Sequence, residues 1–119
     1  METLKLAREL RPNATWGYYH YPFCNARGDH SDYSCSKDAM NYNNQLAFLY
    51  NASGALFPSI YLNGEKSSGE AFRYIQAVLN ETKRIANEQE TPLSYYMYTK
   101  FEYDPYKKPH WFYNQACSF

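Results

Sequence analysis

Three short runs rich in aromatic residues, separated by helical segments, constrain the fold of this 119-residue chain more than any other feature. The runs are predicted to be strands over 15–21, 56–62 and 93–99, because Tyr, Phe and Ile favour extended backbone and turn residues bound the runs. Strands that alternate with helices are typical of an α/β fold with a parallel sheet and right-handed crossovers.

The segments beside these runs have helical periodicity. Helices are predicted over 2–10, where Pro12 follows the end, and over 39–52. The third helix has the strongest support, since Ser67 and Glu70 have the spacing of a capping box. Its apolar side is predicted to consist of Ala71, Phe72, Ile75, Val78, Leu79, Thr82, Ile85 and Ala86.

The resulting order, α-β-α-β-α-β, leaves two architectures open. Three strands are too few to close a barrel, and an open parallel sheet of that size leaves two exposed edges. The chain is therefore either a compact three-layer domain or part of a (β/α) barrel of roughly 250 residues. Residues 101–119 contain rings and turn residues without a clear period, so the tail is predicted to be irregular.

Charge, hydropathy and motifs argue against several classes of protein. Lys and Arg number 12, as do Asp and Glu, which argues against a nucleic-acid binder because such a protein needs a basic face. A polyanionic sugar is not excluded, since a local basic groove is compatible with a neutral total. No apolar run approaches the roughly 20 residues of a transmembrane helix. Neither a Ser/His/Asp order nor a glycine-rich phosphate loop is present, so the sequence predicts no catalytic triad, no nucleotide chemistry and no cofactor.

Several features are typical of secreted proteins. Glycosylation sequons occur at Asn13, Asn51 and Asn80. Cys24 and Cys35 flank a polar loop, as a local disulfide in an oxidising compartment would, and its closure would contribute about 3 kcal/mol. The N-terminal helix carries charges throughout and is not a signal peptide. We therefore expect the chain to be an interior piece of a longer secreted protein.

A group of His and Asp residues and a lone cysteine are further candidates for chemistry. His20 with Asp29, His30 and Asp32 could suggest a metal site, but the last three lie in a predicted solvated loop, and no metal is predicted. Cys117 is the odd cysteine, and it is either a free thiol or half of a bridge whose partner lies outside the chain.

Aromatic rings crowd the ends of the predicted strands, and such rings either pack or bind sugars. On the residues alone, Tyr19 and Tyr61 are ordinary sheet-face aromatics, while Trp16 and Tyr18 are predicted to be core between sheet and helix. Strand alternation places Gly17, Tyr19 and Tyr21 on one face and Trp16, Tyr18 and His20 on the other.

The segments TWGYYHYPFC, NNQLAFLYNASGALFPSIYL and PLSYYMYT together resemble the hyaluronidase family, retaining glycoside hydrolases that cut hyaluronan and chondroitin. The family has a helix ending in Arg-Pro, a W-G-aromatic-Tyr strand, a Pro-x-Cys turn, a disulfide loop and a P-S-I/V-Y-L strand, and residues 2–99 follow that order. The resemblance implies a (β/α) TIM-type barrel. Of this barrel, residues 1–100 would supply about three β/α units, and residues 101–119 would be a divergent tail.

The family resemblance implies hyaluronoglucosaminidase activity with substrate-assisted chemistry. The acetamido oxygen of the bound sugar attacks its own anomeric carbon while a glutamic acid protonates the leaving oxygen, an exception to the two-carboxylate scheme. The family's acid belongs to an Asp-x-Glu motif on a strand that would precede Met1, and no Asp-x-Glu occurs here. No catalytic residue is assigned, and the chain alone is expected to be inactive.

Two family tyrosines match positions in this chain. Tyr19 corresponds to the one that lines the subsite beside the catalytic carboxylates, and Tyr61 to the one that hydrogen-bonds the acetamido group. Cys24 and Cys35 match the family's first loop disulfide.

The implied partner is a glycosaminoglycan, hyaluronan or chondroitin, and the parent protein would be secreted or lysosomal. The alternative is a non-catalytic secreted glycosaminoglycan-binding protein that keeps these tyrosines. If barrel strands are missing from the chain, an exposed apolar face is expected where they belong.

Overall fold

The computed structural model describes residues 2–27 and 33–103. The predicted α/β class is confirmed for this part of the chain, since helices accompany a small parallel sheet. The helices are α1 (Glu2–Leu10), α2 (Lys37–Gln45), α3 (Ala47–Ala52) and α4 (Ser68–Glu88), and the strands are β1 (Ala55–Leu56) and β2 (Ser94–Tyr95).

The sheet is built around β1, which has a parallel neighbour on each side. Residues 55–56 pair with 94–95, and the pairing resumes at a Ser59–Tyr98 bridge. On the other side of β1, the predicted first strand over 15–21 is reduced to a single parallel bridge between Tyr19 and Phe57. Pro58 interrupts the ladder between the second and third segments because proline has no N–H to donate. The three predicted strands are all shorter than expected.

Helix α4 covers one face of this sheet and forms the core with it. Ile60 and Leu62 pack against its first half, and Leu56 against its second half. Because side chains alternate along an extended segment, Phe57, Ser59 and Tyr61 face the opposite side. The helical partners in the two core clusters are Ala71, Ile75 and Val78, and Ile85 and Ala86 together with Tyr50 of α3.

The predicted start of α4 is confirmed. The Ser67 hydroxyl accepts a hydrogen bond from the Glu70 N–H at 3.3 Å, and the Glu70 carboxylate accepts one from the Ser67 N–H at 2.8 Å. The predicted apolar side is wrong at Phe72, which is 52% exposed because it lies beside the buried stripe and its ring meets Tyr33. Glu81, a charged residue, is buried instead.

The single helix predicted over 39–52 is two helices. The first begins at Lys37, where the Ser36 hydroxyl accepts a hydrogen bond from Ala39 N–H at 3.1 Å. It ends at Gln45, since the N–H of Leu46 turns back to Asn43 C=O at 3.0 Å, and α3 then begins. The asparagines near this break have low helix propensity, which accounts for the tightened turn.

Candidate functional site

A disulfide follows the first extended segment. Cys24 and Cys35 are bonded, with an S–S distance of 2.05 Å, as predicted. Cys24 packs against the cluster beneath the first half of α4, and Cys35 is buried, so the bridge attaches this loop to the body of the fold. The loop residues Asp29, His30 and Asp32, and also Cys117, lie outside the described residues.

The start of this loop is held by Asn43, which is completely buried on α2. Its Oδ1 accepts hydrogen bonds from Phe23 N–H and the Tyr50 hydroxyl, both at 3.1 Å. Its Nδ2 donates to Phe23 C=O at 2.7 Å and to the Glu81 carboxylate at 2.9 Å. All the hydrogen-bonding capacity of the carboxamide is used, and the loop is thereby tied to α2, α3 and α4.

Glu81 extends this network to the surface of α4. Its carboxylate accepts two hydrogen bonds from the Arg84 guanidinium, at 2.6 and 2.8 Å. These bonds raise the pKa of Arg84, and burial followed by the nearby Glu81 charge raises the pKa of the Tyr50 hydroxyl. No sequence signal predicts these roles, because an Asn or a Glu within a helix is ordinarily expected to face solvent.

The face of the sheet opposite α4 is lined by four rings, those of Tyr19, Phe57, Tyr96 and Tyr98, which we call the aromatic face. Tyr19, Tyr96 and Tyr98 are 51%, 58% and 47% exposed. The Tyr19 ring meets Tyr98 edge-on at 5.2 Å, and Phe57 stacks on Tyr96 at 6.0 Å. These rings form an exposed aromatic surface in the described part of the chain, and its coverage by further barrel strands stays a prediction.

Gly17 allows Tyr19 to reach this face. A Cβ atom at position 17 would lie 2.4 Å from the backbone oxygen of Ala55 and 2.8 Å from the Phe57 ring. Only a residue without a side chain lets the first segment approach β1 this closely. Gly17 is therefore required by the packing that places Tyr19 beside Phe57.

Tyr61 lies further along the segment that begins with β1, and it is half-buried. The Lys100 ammonium lies 5.9 Å from the centroid of its ring, within the range of a cation–π contact. By alternation Tyr61 faces the same side as Phe57, so Tyr19 and Tyr61 share one face of the sheet near the carboxyl ends of parallel segments. Their binding roles remain predictions.

The predicted alternation of the first segment fails at His20. This residue has φ +80°, in the left-handed region, and its Nδ1 is hydrogen-bonded to the Ser59 hydroxyl. His20 therefore joins the side of the sheet that carries Tyr19, and Tyr21 turns to pack against the core with Tyr50 and Leu56. Both assignments from the sequence were wrong because regular alternation requires extended backbone at every position.

Trp16 and Tyr18 are half-buried, so their prediction as core residues is only partly correct. The Trp16 indole N–H donates to Arg11 C=O at 3.1 Å, and Trp16 lines one surface pocket together with Leu6 and Leu10 of α1. Trp16 thus attaches the first helix to the sheet.

The three sequon asparagines, Asn13, Asn51 and Asn80, are all exposed and thus accessible to glycosylation. Their glycosylation stays a prediction. Within residues 2–27 and 33–103, no helix has the length and apolar character needed to cross a membrane. The same residues contain no group of three His, Cys, Asp or Glu side chains arranged to hold a metal ion.

The chain belongs to the hyaluronidase family, whose model matches residues 1–111. It is 41% identical over 118 residues to a chondroitin hydrolase from Caenorhabditis elegans, covering 97% of this chain and 26% of that protein. It is 36% identical over 102 residues to a hyaluronidase from Apis mellifera, covering 82% of this chain and 27% of the relative. The family predicted from the sequence motifs is confirmed.

Solved structures of bee venom hyaluronidase are similar as well. One superposes with a TM-score of 0.77 at 33% identity, covering 87% of this chain and 33% of the bee protein. A second, of the bee enzyme in complex with a hyaluronic acid tetramer, gives the same TM-score and covers 32% of that protein. The chain therefore spans about a fifth to a third of the length of the relatives that it matches.

Proposed function

We propose that this chain is part of a hyaluronidase-type glycoside hydrolase that hydrolyses β-1,4 N-acetylhexosaminide bonds in hyaluronan or chondroitin by the substrate-assisted retaining mechanism. The observation that carries the proposal is the position of Tyr19 and Tyr61 on one face of a parallel sheet, near the carboxyl ends of its segments. Active sites of (β/α) barrels lie at that end. The relatives that this chain resembles include hyaluronidases and a chondroitin hydrolase.

In this proposal the two tyrosines have different tasks. The Tyr61 hydroxyl donates a hydrogen bond to the acetamido group and holds it for attack on the anomeric carbon, a task that suits a phenol because it stays protonated near neutral pH. Tyr19 forms a wall of the adjacent sugar subsite. The proton donor would be a carboxylic acid from outside these 119 residues, since they contain no Asp-x-Glu.

The proposal includes the organisation and location of the parent protein. Residues 1–100 would be a segment of a (β/α) barrel, with residues 101–119 as a divergent tail. The disulfide between Cys24 and Cys35 and the three exposed sequons support a secreted or lysosomal parent protein.

The binding part of the proposal is tested by titrating the purified chain with hyaluronan and chondroitin oligosaccharides. Intrinsic tyrosine and tryptophan fluorescence reports the binding. Tyr61→Phe removes only the hydroxyl and should weaken binding about tenfold, since one hydrogen bond to the ligand is lost. Tyr33→Phe is the matched control, because Tyr33 is exposed but contacts Phe72 of α4 rather than the aromatic face. Equal affinities for the two variants would contradict the role of Tyr61.

A second assay tests the assignment of the acid. The isolated chain should release no new reducing ends from hyaluronan at acidic pH. Hydrolysis by the isolated chain would show that it contains its own proton donor and would overturn this part of the proposal.

A further inference from the structure

The backbone of His20 is unusual for its residue type. Among residues 2–27 and 33–103, His20 is the single non-glycine residue with positive φ. Such a conformation costs free energy for a residue with a side chain, and it persists where the surroundings enforce it, often at ligand sites. His20 also directly follows Tyr19, the predicted sugar-binding residue.

The imidazole of His20 is held in place on several sides. Its Nδ1 is hydrogen-bonded to the Ser59 hydroxyl, and the rings of Tyr21 and Phe23 lie 6.2 and 5.8 Å from it. Among the described residues no hydrogen bond is formed by its other nitrogen, Nε2. His20 itself is exposed, so this nitrogen remains able to bond a ligand.

A cavity of about 460 Å³ opens beside this ring, between residues 20–25 and α2. Its walls include the rings of Tyr21, Phe23 and Tyr42, with Asn25 and Asp38 as polar groups. Phe23 and Tyr42 meet edge to face at 6.4 Å. Aromatic walls with a few hydrogen-bonding groups suit a sugar ring, which has apolar faces and a polar edge, and the volume lies within the range of small-ligand sites.

The neighbouring Tyr42 side chain raises the pKa of Tyr21. The edge-to-face contact of Phe23 with Tyr42 joins the loop to α2 across the cavity. Asn43 fixes the same loop from below through Phe23, so the walls are positioned before any ligand arrives.

We propose that this cavity is a second sugar subsite, which binds a further unit of the glycosaminoglycan chain whose neighbouring unit lies on Tyr19 and Tyr61. The inference rests on the proposed function. The ring centroids of Tyr19 and His20 are 6.0 Å apart, so one polysaccharide strand can contact both. His20 forms a hydrogen bond from Nε2 to an oxygen of the sugar in the cavity, and Phe23 and Tyr42 contact its apolar faces.

The test compares a hyaluronan disaccharide with an octasaccharide, each titrated against the full chain and against His20→Asn. Asparagine tolerates left-handed backbone and can still bond Ser59, but it is too short to reach into the cavity. We expect wild type to bind the octasaccharide more tightly than the disaccharide. His20→Asn should weaken binding of the octasaccharide about tenfold, as expected for one lost hydrogen bond. Its affinity for the disaccharide should stay within about twofold of that of wild type.

Tyr42→Ala provides an independent variant, because it removes a wall from an exposed helical position without altering the backbone of His20. It should show the same dependence on oligosaccharide length. Tyr33→Ala, at an exposed tyrosine that does not line the cavity, should change neither affinity.

The outcomes separate this inference from the proposed function. Equal weakening of both oligosaccharides by His20→Asn, or of neither, would overturn the second subsite while leaving the role of Tyr61 intact. If wild type bound neither oligosaccharide, the proposed function itself would fail and the subsite with it.

Discussion

The side chain of Asn43 exchanges a pair of hydrogen bonds with the backbone of Phe23, accepting from its N–H at 3.1 Å and donating to its C=O at 2.7 Å. The carboxamide thus takes the place of a neighbouring strand for one residue of the loop. Because Phe23 follows Tyr19 and His20 by only a few positions, this pair connects the geometry of the aromatic face to helix α2.

Replacing Asn43 by alanine should lower the free energy of unfolding by about 3 kcal/mol, because buried groups of Phe23 and Tyr50 lose their partners. Urea denaturation measures this change. Asn41→Ala is the matched control on the same helix, since Asn41 is exposed, and its effect should stay below about 0.5 kcal/mol. Similar losses for both variants would show that the network contributes little.

Arg84 pairs with a buried and an exposed glutamate, which allows a comparison within one helix. The side chains of Glu81 and Glu88 are 3% and 52% exposed. Glu81→Ala should cost about 3 kcal/mol, since it leaves the guanidinium and the Asn43 amide without their buried partner. Glu88→Ala should cost less than about 0.5 kcal/mol, as exposed pairs do. Thermal or urea unfolding measures the loss of stability in each variant. A larger loss for Glu88→Ala than for Glu81→Ala would contradict this account.

Gly17→Ala should destabilise the chain by about 2–3 kcal/mol, because the new methyl group would meet the Ala55 backbone, which cannot move aside cheaply. Gly69→Ala is the control, since its methyl group would lie 3.2 Å from the flexible end of the Arg73 side chain. That change should be neutral or stabilising by up to about 1 kcal/mol, as alanine favours the helix. Chemical denaturation distinguishes them, and tolerance of alanine at position 17 would contradict the close approach.

The capping box predicts how stability changes with pH. The hydrogen bond from the Ser67 backbone N–H, and then the neighbouring Ser67 side chain, lower the pKa of Glu70 below the ordinary value of 4.5. A depressed carboxyl pKa stabilises the folded state above the unfolded-state value, and this contribution disappears as pH falls through the folded-state value.

The urea midpoint of wild type should therefore exceed that of Glu70→Gln near neutral pH, and the difference should shrink in acid. Glu9→Gln, at an exposed position of α1, controls for the loss of one negative charge. A difference for Glu70→Gln that stayed constant from neutral pH to strong acid would exclude the ionised carboxylate as the origin.

Local features of the fold could be predicted from the sequence. The start of α4 follows from Ser67 and Glu70, which lie within one turn, and its buried side follows from a regular period. The Cys24–Cys35 pair follows from the polar loop between them and from the family resemblance, which also supplied the candidate tyrosines. These features depend on neighbours in the chain or on rare motifs.

The remaining features depend on tertiary contacts that no local pattern reveals. The burial of Glu81 requires Asn43, which lies on a different helix. The left-handed backbone at His20 is uncommon for histidine, and it reverses the side on which Tyr21 lies. The strands are shorter than predicted for a similar reason. A strand ends where its backbone hydrogen bonds to the neighbouring segment end, and those bonds depend on a distant part of the chain.

The parallel register of the sheet has a consequence for how the chain folds. Ala55 pairs with Ser94, and the whole of α4 lies between them. Parallel strands cannot be joined by a tight hairpin, so their pairing must await closure of a long loop, which slows folding. Helix α4, with its own capping signal, can form early and bring the strands together. We therefore expect the folding rate to be set by the docking of α4 rather than by the formation of either strand.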